Sequence, residues 1–237
     1  ATTAMQAVLS EFLASHGIVV AFARRMNGTA KLPFELEGRE AKQRELAARV
    51  DDMRSALEVL GRQPGVDLSR IGVIAWSYTG EMATALQQRD PRVTLVAGLS
   101  STLINDWVFG DLAELETTEP AAFDAVYAVL TQPRQSPPPL IARLPSAYYV
   151  EFPSTAHGSF NALEGHLPSL LGIATVQPWS MCSAAAARAY EAAAVILLRL
   201  VRQHVATGGR LLRSAELGAG IVDCASNACW SGPAESD

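Results

Sequence analysis

One short stretch of this 237-residue chain carries residue types that could do nucleophilic chemistry. Ile71-Gly-Val-Ile-Ala-Trp is a buried-strand pattern that runs directly into Ser77-Tyr78-Thr79-Gly80, and a helix pattern follows at once. A serine on a sharp strand-to-helix turn has its hydroxyl lifted above the sheet in a strained backbone conformation. The helix N-terminus beneath it favours negative charge, and the Tyr78 N–H is the natural first donor to an oxyanion there. Ala75 is small enough for such a turn; Thr79 is β-branched where a glycine would close it more easily, and Gly80 is available to take up slack. The plainer alternative is a strand-end serine that caps the next helix.

A serine of this kind needs a base, and four histidines compete. His16 precedes its strand, the wrong end of a parallel sheet for ligands. His204 falls in the last turn of a helix, where the dipole favours a cation and a structural role. His157, in Ser154-Thr-Ala-His-Gly-Ser-Phe-Asn, follows a strand by a few residues and is the expected base; His166 is the runner-up. The third member must accept from Nδ1–H. Asp106 is the first carboxylate after the third strand pattern and is the expected acid, with Asp111 and Asp124 as alternatives and a helix N-cap as its structural reading. The order Ser77, Asp106, His157 is the order serine, acid, histidine of one known triad arrangement.

The elements around these residues follow from periodicity. Residues 4–15 read as a helix, Ile18 to Ala23 as a buried strand and residues 24–38 as loop. From Arg39, Leu46, Val50, Met53, Leu57 and Leu60 recur at helical spacing, with Glu40–Arg44 and Glu45–Arg49 expected as i,i+4 pairs on the solvent side. After the strand at 71–76, a helix is expected from Gly80 to Gln88 and a strand from Val93 to Leu99. Residues 121–130 read as helical, 131–145 holds five prolines, and 147–152 is another strand. The apolar helix from Ala184, broken by Arg188, Glu191, Arg199 and Arg202, ends near Gly208-Gly209. Continuous apolar strands alternating with helices predict an α/β fold, a mostly parallel sheet between two helical layers. Residues 1–206 form the expected domain, and 207–237 an extension of undetermined structure.

Composition narrows the function classes. Hydrophobic residues make up 49% and charged residues 18%, enough for a core and against wholesale disorder. The formal charge is -5, and Lys31 and Lys42 are the only lysines, which argues against nucleic-acid binding. No apolar run reaches the roughly 18 residues of a membrane span. Of three cysteines, Cys182 stands apart; Cys224 and Cys229 could pair in an oxidising compartment or remain thiols, which leaves cytoplasmic and extracytoplasmic locations open. Their spacing does not suggest zinc, and no metal or organic cofactor is expected.

The chain resembles the α/β-hydrolase superfamily, most closely bacterial dienelactone-hydrolase-like serine esterases and the platelet-activating-factor-acetylhydrolase type. The resemblance is carried by Leu13-Ala-Ser-His-Gly-Ile-Val-Val-Ala, by Pro64-Gly-Val-Asp-Leu-Ser-Arg-Ile-Gly-Val-Ile-Ala-Trp-Ser-Tyr, and by Tyr148-Tyr-Val-Glu-Phe-Pro with Ala156-His157-Gly-Ser-Phe-Asn. It implies a three-layer sandwich, Ser77 as nucleophile, His157 as base, an acid near the end of the third strand and a small-molecule carboxylic ester as substrate. Relatives usually carry glycine at both outer positions of the turn, where this chain has Ala75 and Thr79. At the strand end where some relatives keep an acid, this chain has Ser100 or Ser101. Set against the resemblance, the chain is expected to lack the N-terminal strands of the sandwich, together with the loop that would supply a second oxyanion N–H. Either an upstream segment, residues 1–4 or a partner such as a second copy completes the site, or activity is weak. The competing expectation is a non-catalytic binding or scaffold protein of the same fold; a thioester or peptide substrate is a third.

Overall fold

The computed structural model describes residues 6–23, 35–101, 103, 123–133, 141–142, 144, 146–153, 155–161, 184–209 and 212, with the backbone of 229–231. Four parallel strands, β1 (Ile71–Trp76), β2 (Val93–Leu99), β3 (Val126–Thr131) and β4 (Ala147–Glu151), lie side by side in chain order. A short β5 (Cys229–Ser231) pairs antiparallel with β4. The sheet is therefore mostly parallel, as its unbroken apolar strands require, because both of its faces are covered.

The two faces divide by alternation along the strands. Leu95, Ala97, Leu99, Ala128, Leu130, Tyr148 and Val150 pack on one side against α1 (Ala7–Ser15) and α4 (Ala184–Leu200). Val96, Tyr127, Val129, Ala147 and Tyr149 pack on the other against α2 (Arg39–Leu60) and α3 (Thr79–Gln87). The result is three layers, with α4 continued by a π-helical turn, Val201–Ala206.

Several expectations need correction. Residues 18–23 form no strand. Val19 and Phe22 are 58% and 43% exposed, and Ala21 to Ala23 instead wall a groove of about 780 Å3 that runs the length of β1. An apolar β-branched run becomes a strand only where an edge is within hydrogen-bonding reach, and this one stands off from β1 across the groove. Of residues 121–130, read as helical, 126–130 belong instead to β3, where Val126-Tyr-Ala-Val-Leu-Thr packs both faces of a central strand. The Glu45–Arg49 pair exists, with Arg49 Nη2 at 2.5 Å, but Glu45 is buried rather than on the solvent side. Glu40 and Arg44 do pair in the open.

Candidate active site

The parallel register brings the chemistry to one end of the sheet. Trp76 pairs with Leu99, Leu99 with Leu130, and Leu130 with Val150. The residues that follow these four therefore form a row at the carboxyl ends of the strands: Ser77, Ser100, Thr131 and Glu151. That end is where ligands bind in open α/β sheets.

Ser77 has φ +58°, in the left-handed region that serine rarely enters. Local contacts hold it there. Its N–H donates to Leu99 O (3.1 Å) and its own carbonyl accepts from Gly80 N–H (3.2 Å). Thr79, read from sequence as an obstacle to the turn, is a staple: its hydroxyl donates to Trp76 O (2.6 Å) and accepts from Trp76 N–H (3.0 Å). This also satisfies the last donor of the edge strand. Gly80 supplies the close approach, since a Cβ there would fall 2.0 Å from Ser101 Oγ and 3.1 Å from Leu103 Cα. Ser77 Oγ is half-buried and has no hydrogen-bond partner among the described residues. Tyr78 directly follows Ser77 and is the N-cap of α3.

His157 opens a 3-10 turn, His157–Phe160, just beyond β4. The turn is fixed by Ala156 N–H donating to Ser159 Oγ (3.0 Å), with Ser159 and Phe160 fully buried. The imidazole stacks on Trp76, centroids 4.8 Å apart and planes at 28°. The Trp76 indole N–H reaches His157 O at 3.4 Å. The histidine is thus anchored on the residue immediately before Ser77. Its Nδ1 lies 2.7 Å from Ser100 Oγ, which in turn donates to Gln132 Oε1 at 2.5 Å. Ser100 is itself left-handed, φ +48°, with its N–H on Leu130 O at 2.7 Å.

Asp106, Asp111 and His166 lie outside the described residues; Asp124 is exposed ahead of β3. His16 is exposed at the end of α1, its Nδ1 2.8 Å from Phe12 O, and the strand that it was expected to precede does not form. His204 is structural, but not as a cation: it is buried, with Nε2 3.0 Å from Tyr148 Oη, and burial holds its pKa below the usual value. Ser100 was noted from sequence, with Ser101, as standing where some relatives keep an acid, but not as the partner of Nδ1; Gln132 behind it was not singled out, because a neutral side chain carries no recognisable signal for this role. Among the described residues no group of three His, Cys, Asp or Glu could hold a metal ion. No helix among them is long and apolar enough to cross a membrane.

Among solved structures the chain is similar to a ferulic acid esterase from Streptomyces cinnamoneus, with a TM-score of 0.51 and 20% identity. The chain has an α/β-hydrolase-like fold. The match covers 74% of this chain and 54% of that esterase, so the chain spans little more than half of its neighbour's length. No protein-family model and no curated protein sequence matches it.

Proposed function

We propose that the protein is a serine hydrolase of carboxylic esters that works through an acyl-enzyme, with Ser77 as nucleophile and His157 as base. In that reaction the Ser77 oxygen bonds to the ester carbonyl carbon while His157 Nε2 takes its proton. The carbonyl oxygen becomes an oxyanion held by the Tyr78 N–H at the start of α3; one such donor is worth roughly 3–4 kcal/mol in the transition state. Collapse expels the alcohol, which receives the proton from His157, and water admitted to the same base then releases the acid and regenerates Ser77. The second oxyanion donor would have to come from the groove side of β1, whose upper end is lined by Trp76, Tyr78 and Thr79. The sequence offers Asp106 as a third member, but the His157 Nδ1 that it would have to meet lies 2.7 Å from Ser100 Oγ.

The observation that carries the reading is the strained Ser77 at a strand-to-helix turn, with the His157 ring stacked on its neighbour Trp76. The dienelactone-hydrolase type of esterase fits the motifs best, and the neighbour's named activity suggests methyl ferulate and p-nitrophenyl acetate as first substrates. Hydrolysis of either by the purified chain, lost on His157→Ala with the far-UV circular dichroism unchanged, is the expected result. A non-catalytic binding protein is the second reading, and the neutral contacts around His157 favour it. A folded protein that turns over no short acyl or aryl ester would decide for that reading.

A further inference from the structure

We propose that Ser100 and Gln132 form the positioning pair for His157, two neutral groups selecting the tautomer that a carboxylate selects in a conventional triad. The inference rests on His157 being the base of the reaction proposed above. Its grounds are the directions in which the hydrogens can point. A carboxamide oxygen has no hydrogen to give. Gln132 Oε1 accepts from Ser100 Oγ at 2.5 Å and from Thr131 Oγ1 at 3.0 Å. The single proton of the Ser100 hydroxyl is therefore spent on Gln132, and a lone pair faces His157 Nδ1 at 2.7 Å. That contact is favourable only if Nδ1 carries the hydrogen. Nε2 is then the bare nitrogen, the acceptor a general base requires.

The pair is built rather than incidental. Ser100 is 2% exposed, so water does not compete for its hydroxyl. Its backbone is locked in the left-handed region by the hydrogen bond to Leu130 O, which aims the side chain along the row of strand ends. Gln132 follows directly on β3, the strand next to β2, and the two residues are thus neighbours by register. What a neutral pair does not do is offset the positive charge that appears on the imidazole when it takes the serine proton. The arrangement orients His157 fully and stabilises its cation weakly, which predicts a slow enzyme that a carboxylate at position 100 would speed up. Aspartate suits that position because it tolerates the left-handed backbone, and the Gln132 amide can turn over to present its NH2 group.

The test compares the wild type with Ser100→Gly and Ser100→Asp. Glycine relieves the backbone strain, which offsets part of the loss of the two hydrogen bonds of the Ser100 hydroxyl, so the fold survives. Long-range 1H–15N correlation of the His157 ring, assigned with His157→Gln, reads the tautomer directly. The Nδ1–H form is expected to dominate in the wild type and to give way to a mixture in Ser100→Gly. The rate of Ser77 acylation by a fluorophosphonate should fall tenfold or more in Ser100→Gly and exceed the wild-type rate in Ser100→Asp. A wild-type ring in the Nε2–H form, or a tautomer and rate untouched by Ser100→Gly, overturns the proposal. If the wild type fails to acylate at all, the esterase reading is lost, and the tautomer comparison alone decides the role of the pair.

Discussion

The indole of Trp76 lies against the imidazole of His157, 4.8 Å between centroids, and its N–H reaches the carbonyl of the same histidine. Through this one residue His157 is referenced to the serine turn, since Trp76 is bonded covalently to Ser77. Trp76→Phe keeps a stacking face and loses the hydrogen bond; Trp76→Ala loses both. The expected order of kcat is wild type, then Phe, then Ala. The alanine variant should fall by about 10–100-fold, the scale of misplacing a catalytic group by an ångström, with KM for a short ester changing far less. Steady-state kinetics on p-nitrophenyl acetate reads the split. Equal kcat in all three would show that the stack positions nothing.

Thr79 replaces a residue type that the turn was expected to need, and its hydroxyl closes the turn instead. Thr79→Val keeps the shape but leaves the Trp76 N–H and carbonyl without that partner, and should cost about 1–3 kcal/mol in urea unfolding. Thr79→Ser should recover most of it. If valine is as stable as threonine, the two hydrogen bonds are not what holds the turn.

His204 gives a pH dependence whose sign is fixed by its surroundings. Burial is the larger effect and lowers its pKa below 6.5, against the smaller raising effect of a backbone hydrogen bond with Gly209. The unfolded chain therefore takes up this proton at a higher pH than the folded one. Stability from His204 is full above about pH 6.5–7, and is lost as the pH falls toward the folded-state value, by at most about 1.4 kcal/mol per pH unit for one proton. His204→Gln keeps a polar partner for Tyr148 Oη and removes the titration. Its Tm should fall less than that of the wild type between pH 7 and 5.5. Parallel curves would assign the acid sensitivity elsewhere.

The serine turn was legible in the sequence because a β-branched strand, a turn and a helix leave separate periodic marks within seventeen residues of one another, from Ile71 to Gln87. His157 was legible for the same reason, as a loop histidine just past a clear strand. Where the reading failed, the deciding physics was not local. Ile18 to Ala23 has strand composition, yet pairing depends on an available edge, which no single segment encodes. Val126 to Leu130 was read as helical, and only the neighbouring strands β2 and β4, with which it pairs, make it a strand. Glu45 pairs with Arg49 as the helical spacing predicts, but its burial is set by what packs over α2, which that spacing does not carry. Ser100 and Gln132 sit 57 and 25 residues from His157 in sequence, and only the register of β2, β3 and β4 brings them to one end of the sheet.

The most direct test of the account is acylation of the intact chain by a fluorophosphonate, followed by peptide mapping by mass spectrometry. Ser77→Ala and Ser77→Gly serve as controls; glycine should also raise the stability by about 1 kcal/mol by relieving the left-handed backbone. The account predicts one adduct, on Ser77, absent from both variants and slowed by His157→Ala. A folded protein that takes no adduct, or takes it on another residue, would contradict the assignment of Ser77 as the nucleophile.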